Sequence, residues 1–385
     1  MLTFLALIFI FSLVVLVHEL GHFIAAKKLG VEVRTFAFGF PPKIWAKKIK
    51  GTKYVINALP LGGYVSLRGE DESEFDEKEL DKEEGNKRSL LSKSPQELLI
   101  IFVAGVVMNF VLAVFLLWIC FMLGTQAIYN GMWKHEGVVN NQKVVITEVE
   151  KDSPAEKVGL LSGDIIKSVD NKTVYLSDEV LSIVYPKITD NEATVDLIID
   201  RNGEVLEKNL TTYKSKISSG KNEKEVSRIG VALETKGEMK ANAYFAFKAA
   251  LSETGKISKL TLFAITDLFK QLIIKFQISD NVSGPIGIVV ATSYFAHMGF
   301  VSLLQFTAIL SLSLAVFNIL PIPALDGGHL TFTLIEMITR RKFSLKVKNI
   351  IQATGFSVLI LLMIAVTVKD FVNFDILGSI IGLVR

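Results

Sequence analysis

The sequence predicts a polytopic α-helical membrane protein with four transmembrane helices and one water-soluble, β-rich insert. Three observations carry that expectation. Half of the 385 residues are hydrophobic, and the mean hydropathy is +0.43. The apolar residues gather in charge-free blocks, and about 20 such residues in helical form cross a bilayer core. Between the second and third blocks the apolar runs become short and β-branched, with turn residues separating them, as in a folded β domain.

The first block, residues 1–26, is closed by Lys27-Lys28. It has no basic segment before it and is longer than a signal-peptide core, so it reads as a retained span. Residues 27–96 form a loop in which Lys53–Leu67 reads as two strands around Pro60-Leu61-Gly62-Gly63, a β-hairpin, followed by the acidic stretch Glu70–Glu84, which reads as a solvated linker. Residues 97–124 hold the second span, preceded by Ser94-Pro95, a helix start. Residues 127–235 form the soluble insert, whose Lys214–Glu225 segment reads as a loop. Residues 236–280 alternate apolar and charged positions, the pattern of amphipathic helices lying on a membrane surface. Residues 281–325 contain an irregular entry around Gly284-Pro285 and the third span. Residues 326–349 form a Gly-Gly turn and a basic loop, 350–369 the fourth span, and 370–385 a tail.

Lysine and arginine concentrate after the first span (Lys27 to Lys50) and between the third and fourth (Arg340 to Lys348). By the positive-inside rule both loops are cytoplasmic, which places both termini and the insert outside. The net charge of +3 is spread among the loops and points to no nucleic-acid partner. The single cysteine, Cys120, excludes an intrachain disulfide.

His18-Glu19-Leu20-Gly21-His22 lies inside the first span. Ionisable residues within a span are costly and mark function. H-E-x-x-H on a helix sets two imidazoles on one face with a carboxylate beside them, the pattern of a zinc hydrolase with the glutamate as general base. A catalytic zinc needs a third protein ligand and an open position. Lys28 stands where an extended HExxHxxGxxH motif would have histidine, so the third ligand must come from elsewhere. Asp326 is the best candidate: it ends a charge-free run at the depth inferred for His18 and His22, after Pro321 and Pro323 and before Gly327-Gly328, which let the backbone turn. Asn318, two turns earlier, can donate its amide to a substrate carbonyl. His135, His297 and His329 are not expected to be ligands, with His329 held in reserve.

These motifs together resemble the site-2 protease family of intramembrane zinc metalloproteases, peptidase family M50, and its regulator of sigma-E protease branch. HELGH and Leu325-Asp326-Gly327-Gly328 match the family's two metal motifs. Phe38-Gly39-Phe40-Pro41 resembles the branch's loop after the first span, and Pro60–Val65 resembles its membrane-associated β-loop. Ala104-Gly105 with Asn109-Phe110 resembles a segment of its second span, with Val106 in place of the usual proline. Gly284–Ile288 resembles the stretch before its third span, and Ser313 stands where the best-known enterobacterial member has asparagine. Ser153–Leu160 and Gly163–Ile166 resemble a bacterial PDZ domain, of which only one fits.

The resemblance implies a Zn2+ ion on His18, His22 and Asp326, with Glu19 as the catalytic base. It implies a bacterial inner-membrane enzyme that cleaves pre-trimmed single-pass membrane proteins, such as an anti-sigma factor, and remnant signal peptides. Gly63 and the strand Tyr64-Val65-Ser66-Leu67 would pair with the unwound substrate, Asn318 would hold it from the other side, and the PDZ-like domain would dock or filter peptides. Two other classes stay in competition: a scaffold that collects partners, and a metal transporter. The second and fourth spans lack the core ionisable groups a transporter needs, and a scaffold does not explain carboxylates in apolar surroundings.

Overall fold

The architecture is that of a computed structural model, which describes residues 1–69, 88–129, 132, 135–187, 193–219, 222–275, 284–341 and 343–373. The acidic linker lies outside the described residues. Two compact units are present, one of Met1–Leu117 with Ala250–Arg385 and one of Trp118–Ala249.

Among the described residues, four helices are long and apolar enough to cross a membrane. They are α1 (Leu2–Lys28), α2 (Pro95–Leu123, whose last residues belong to the second unit), a third at Phe300–Ile319 and a fourth at Leu345–Asn373. The third is the central one: 56% of its span is buried against 6% of the fourth. Its buried face carries Gln305, Thr307, Ser311 and Asn318, polar groups that would be costly if turned to lipid.

Between α1 and α2 lie two long strands, β1 (Val33–Ile49) and β2 (Thr52–Leu67). Their pairing corrects the expected hairpin within Lys53–Leu67. Thr35–Phe38 is paired on one side with Gly63–Ser66 and on the other with Lys53–Ile56, so the two halves of β2 flank β1 and do not pair with each other. Lys43–Ile49 then pairs back onto Thr52–Asn57. The alternation in Val33-Arg34-Thr35-Phe36-Ala37-Phe38 is the signal that this segment supplies the middle strand. Gly63 allows the close pairing, since a Cβ there would lie 2.4 Å from the Ala37 carbonyl oxygen. Ala25, Ala26, Val31, Val33, Leu67, Leu90 and Ile101 form one buried cluster that joins α1, the strands and α2.

Two expectations about backbone change here. The irregular entry is a helix, Pro285–Met298. Proline at a first helical position has no unsatisfied N–H and a suitable φ, and Asp370 Oδ2 accepts from Gly284 N and Gly287 N at 2.9 Å each. The Gly-Gly turn is the first turn of a further helix, Asp326–Thr339. The glycines serve close approach: a Cβ on Gly327 would fall 1.8 Å from the Leu320 carbonyl oxygen, and one on Gly328 2.7 Å from that of Ile322.

In the second unit a sheet runs in the order Val231–Lys236, Lys143–Val149, Ile165–Val169, Thr194–Arg201, Glu204–Thr211. Val144, Ile146, Ile166, Leu197 and Ile199 fill its core together with Val180 and Val184 of the helix Ser177–Val184. Ser153 caps the short helix Pro154–Lys157 by accepting from Glu156 N at 3.2 Å. The segment expected as a polar loop is a strand pair, Tyr213–Ser219 with Asn222–Arg228. Among the described residues, 236–275 contribute the short strand Met239–Lys240 and one helix, Ala243–Lys275, where several helices were expected.

Candidate metal centre

On α1 the spacing of the motif does local work twice. His18 and His22 are one turn apart and both are buried. Ser12, Val15 and Glu19 form the neighbouring face that runs along β2. Ser12 Oγ donates to the Pro60 carbonyl at 2.6 Å, Val15 packs where a Gly62 Cβ would come within 3.2 Å, and Glu19 Oε2 accepts from Val65 N at 3.0 Å.

Asp326 joins the two histidines from the far end of the chain. His18 Nε2 and His22 Nε2 lie 3.2 Å apart, and Asp326 Oδ2 is 3.1 Å from the first and 3.3 Å from the second. Among the described residues these three form the one group with metal-ligand geometry. Four ligands set tetrahedrally about 2.0–2.1 Å from zinc are spaced about 3.3 Å from one another. The observed triangle matches that spacing.

Protonation argues the same way. His22 Nδ1 lies 2.8 Å from the Ile101 carbonyl oxygen, which can only accept, so neutral His22 carries its hydrogen on Nδ1 and presents a lone pair at Nε2. Asp326 Oδ2 is buried without a hydrogen-bond partner. In that tautomer the His22 lone pair and the Asp326 oxygen face each other with no proton between them, an arrangement that repels unless a cation sits there. The donor set, two imidazoles and one carboxylate, is that of a catalytic zinc site.

Small residues allow the close packing. A Cβ on Gly21 would lie 2.3 Å from the Ala104 carbonyl oxygen, and one on Gly105 would lie 2.3 Å from His22 Nε2. The helices α1 and α2 therefore cross where both are narrow.

The remaining expected residues are distributed unevenly. Asn318 is buried with Nδ2 3.3 Å from His18 Nε2, at the centre. Gly63, Tyr64, Val65 and Ser66 lie on the side of β1 that faces α1, with Leu67 paired to Val33. Val65 does not leave its N–H open, because Glu19 accepts it. His329 stacks on Phe102 with ring centroids 5.1 Å apart. Sequence reasoning missed Gln352 on the fourth span, whose Oε1 accepts from Ala324 N in the loop before Asp326. A lone glutamine in an apolar helix was the available signal. Ile101 acts through its carbonyl, which no side-chain pattern marks.

The second unit holds a cleft of about 560 Å³, lined by Val180, Val184, Ile229 and Val231 with Arg228 and Lys151. Its wall is the edge strand Val231–Lys236, paired on one side with Lys143–Val149. Nearby, burial and a 2.6 Å hydrogen bond to Glu150 push the Tyr213 phenol up to about 12. At the other side of the sheet, two 2.7 Å hydrogen bonds from Arg201 hold the Asp164 carboxyl below its usual range.

Comparison with known proteins places these features. The model of peptidase family M50 matches residues 6–362. A relative from Campylobacter jejuni is 34% identical over 95% of this chain and 92% of its own length. One from Clostridium acetobutylicum is 33% identical over 94% and 95%. The names of both place them among zinc metalloproteases. The regulator of sigma-W protease RasP of Bacillus subtilis is 29% identical over 96% of this chain and 98% of its own. Among solved structures, a PDZ domain from Listeria innocua aligns with 24% of this chain at 21% identity and a TM-score of 0.20.

Proposed function

Because the chain belongs to peptidase family M50 and is a zinc metalloprotease, we propose that it is an intramembrane endopeptidase whose centre is His18, His22 and Asp326 with Glu19 as base. The observation that carries this reading is the 3.1–3.3 Å triangle of ligand atoms drawn from the first span and from the first turn of the helix that follows the third. A zinc ion held there supplies Lewis acidity, which lowers the pKa of water and polarises a peptide carbonyl. Glu19 takes the proton of the attacking water and passes it to the departing amine as the C–N bond breaks. Asn318, beside His18, donates its amide to the carbonyl oxygen as charge develops on it.

A helical substrate hides its peptide bonds and must be extended at the scissile site. The edge Gly63–Leu67 accepts it as an added strand. Gly63 lies two residues from Val65 and presents its backbone in the same direction. Val65 N–H serves Glu19, so pairing on that edge runs from Gly63.

Basic loops on the cytoplasmic side put both termini and the second unit outside, in a bacterial inner membrane. The substrates are single-pass proteins already trimmed outside, such as an anti-sigma factor, and remnant signal peptides, a reading in keeping with a Bacillus relative named regulator of sigma-W protease. The PDZ-like second unit receives a peptide along the Val231–Lys236 edge, with Arg228 and Lys151 near its carboxylate.

The test is made on the purified full chain in detergent, with Glu19→Gln and Asp326→Asn variants. Zinc content and cleavage of a membrane-spanning substrate are measured for all three. Zinc in the parent and in Glu19→Gln, cleavage by the parent alone, and metal loss in Asp326→Asn are expected. Equal cleavage by Glu19→Gln, or full zinc in Asp326→Asn, refutes the assignment.

A further inference from the structure

Asn109, fully buried in α2, has no part in the mechanism above. Its Nδ2 lies 3.4 Å from His18 Nδ1, while its own Oδ1 is buried without a hydrogen-bond partner. An N–H···O bond has a usual length of about 2.9–3.0 Å, so this contact is long. The same helix holds the other histidine well: the Ile101 carbonyl oxygen lies 2.8 Å from His22 Nδ1. Gly105 stands between Ile101 and Asn109 and faces both imidazoles, so that a Cβ there would meet His22 Nε2 at 2.3 Å and His18 Cε1 at 2.7 Å. One stripe of α2, at a spacing of i, i+4 and i+8, therefore runs behind the two histidines.

On the zinc-site reading, His18 Nε2 must present a lone pair, because it lies 3.1 Å from Asp326 Oδ2 at the ligand triangle. Neutral imidazole then carries its hydrogen on Nδ1, which needs an acceptor. The amide orientation as placed offers a second donor. Amide oxygen and nitrogen are alike in shape and are assigned from their partners. Turned over, Asn109 brings Oδ1 to His18 Nδ1–H.

We infer that Asn109 is a positioning residue of the metal centre, its amide oxygen accepting from His18 Nδ1–H as the Ile101 carbonyl does from His22. The second span thereby sets the tautomer and aim of both ligands. Orienting partners of this kind tune ligand basicity and ring direction. Ser311 Oγ donates to the Asn109 backbone carbonyl at 3.0 Å, a link that side-chain substitution leaves in place.

The inference rests on the zinc-site reading, and its test separates the two. Zinc affinity of the full chain in detergent is measured by chelator competition, and the absorption spectrum of the cobalt-loaded protein is recorded, for the parent, Asn109→Asp and Asn109→Leu. Asn109→Leu, of similar size but without an acceptor, loses roughly 10- to 100-fold in affinity and shifts the cobalt bands. Asn109→Asp keeps the acceptor and stays within a few-fold of the parent. Parent-like affinity and spectrum in Asn109→Leu overturn the role of Asn109 while leaving the zinc site standing. A parent that binds no zinc refutes the site itself. Should Asn109→Leu fail to fold, 15N spectra of histidine-labelled, zinc-loaded parent decide. Ligation through His18 Nε2 with a protonated, hydrogen-bonded Nδ1 is expected, and ligation through Nδ1 overturns the inference.

Discussion

The Val65 backbone N–H donates to the Glu19 carboxylate across 3.0 Å, so the strand proposed to receive substrate also orients the proposed base. One hydrogen bond joins recognition to chemistry, because β2 cannot shift along α1 without moving the carboxylate's donor.

Val65→Pro removes that donor. The metal ligands sit on other elements, so zinc content should match the parent. Cleavage of a membrane-spanning substrate should fall roughly 10- to 100-fold, as for loss of an orienting partner at a metal site. Unchanged turnover would show that Glu19 needs no anchor on the strand.

Gly105→Ala puts a methyl group 2.3 Å from His22 Nε2, a ring already pinned at Nδ1 by Ile101. Zinc affinity should fall at least tenfold, an effect of the size expected for a misdirected ligand. Gly255→Ala is the control: nothing lies within 4 Å of its Cβ, and it sits in a helix interior. That change should leave zinc binding unaltered and raise stability by up to about 1 kcal/mol. Chelator competition and thermal melts of both variants check the contrast.

Gln352→Leu frees the Ala324 N–H that holds the loop before Asp326. Ala324 has a φ of +74°, a left-handed conformation that a non-glycine residue keeps only under restraint. The variant also removes a buried Nε2 that has no partner. Function should therefore suffer more than stability: a roughly tenfold weaker zinc site, with a melting temperature near that of the parent. A large drop in melting temperature with intact zinc affinity would assign Gln352 to packing alone.

Asp164 gives the second unit a pH dependence. Its carboxyl is buried, accepts two hydrogen bonds from Arg201 at 2.7 Å and one from Leu161 N at 2.9 Å, and has a lowered pKa in the folded state. A carboxyl depressed on folding contributes fully above its unfolded pKa of about 3.9 and less as pH falls through the folded value. The protection factor of the Leu161 amide in the full chain, its exchange rate relative to that of an unstructured peptide at the same pH, should be high at neutral pH and fall below about pH 4. Asp164→Asn should weaken the unit by about 2 kcal/mol at pH 7, the worth of hydrogen bonds to a charged group, and flatten that pH response. An identical response in the variant would trace it to other carboxyls.

The spans were legible because a hydrophobic run long enough to cross a bilayer needs no partner to declare itself, and proline at position 285 or glycine at 327 was not. Both were read as breaks, yet Pro285 opens a helix and Gly327 admits the Leu320 carbonyl to close range. Lys214–Glu225 was hidden for a different reason. A polar two-stranded ribbon carries no apolar alternation, so its pairing leaves little trace in composition. The order of β1 and β2 escaped because pairing between segments distant in sequence is decided by which edges meet. Asn109 stood in a recognised motif, but its task depended on the ring placed beside it.

By itself the sequence determined what is local: four apolar helices, and the i, i+4 spacing that aims His18 and His22 to one side of α1. Helical periodicity and hydrophobic length act within a segment, so they can be read one segment at a time. Only the tertiary structure decided that Asp326 closes the triangle, that Ile101 sets the tautomer of His22, and that Val65 holds Glu19. Those are contacts between backbone and side-chain atoms from remote elements. Their geometry follows from glycine-lined helix crossings and shared burial, which exist only once the chain is packed.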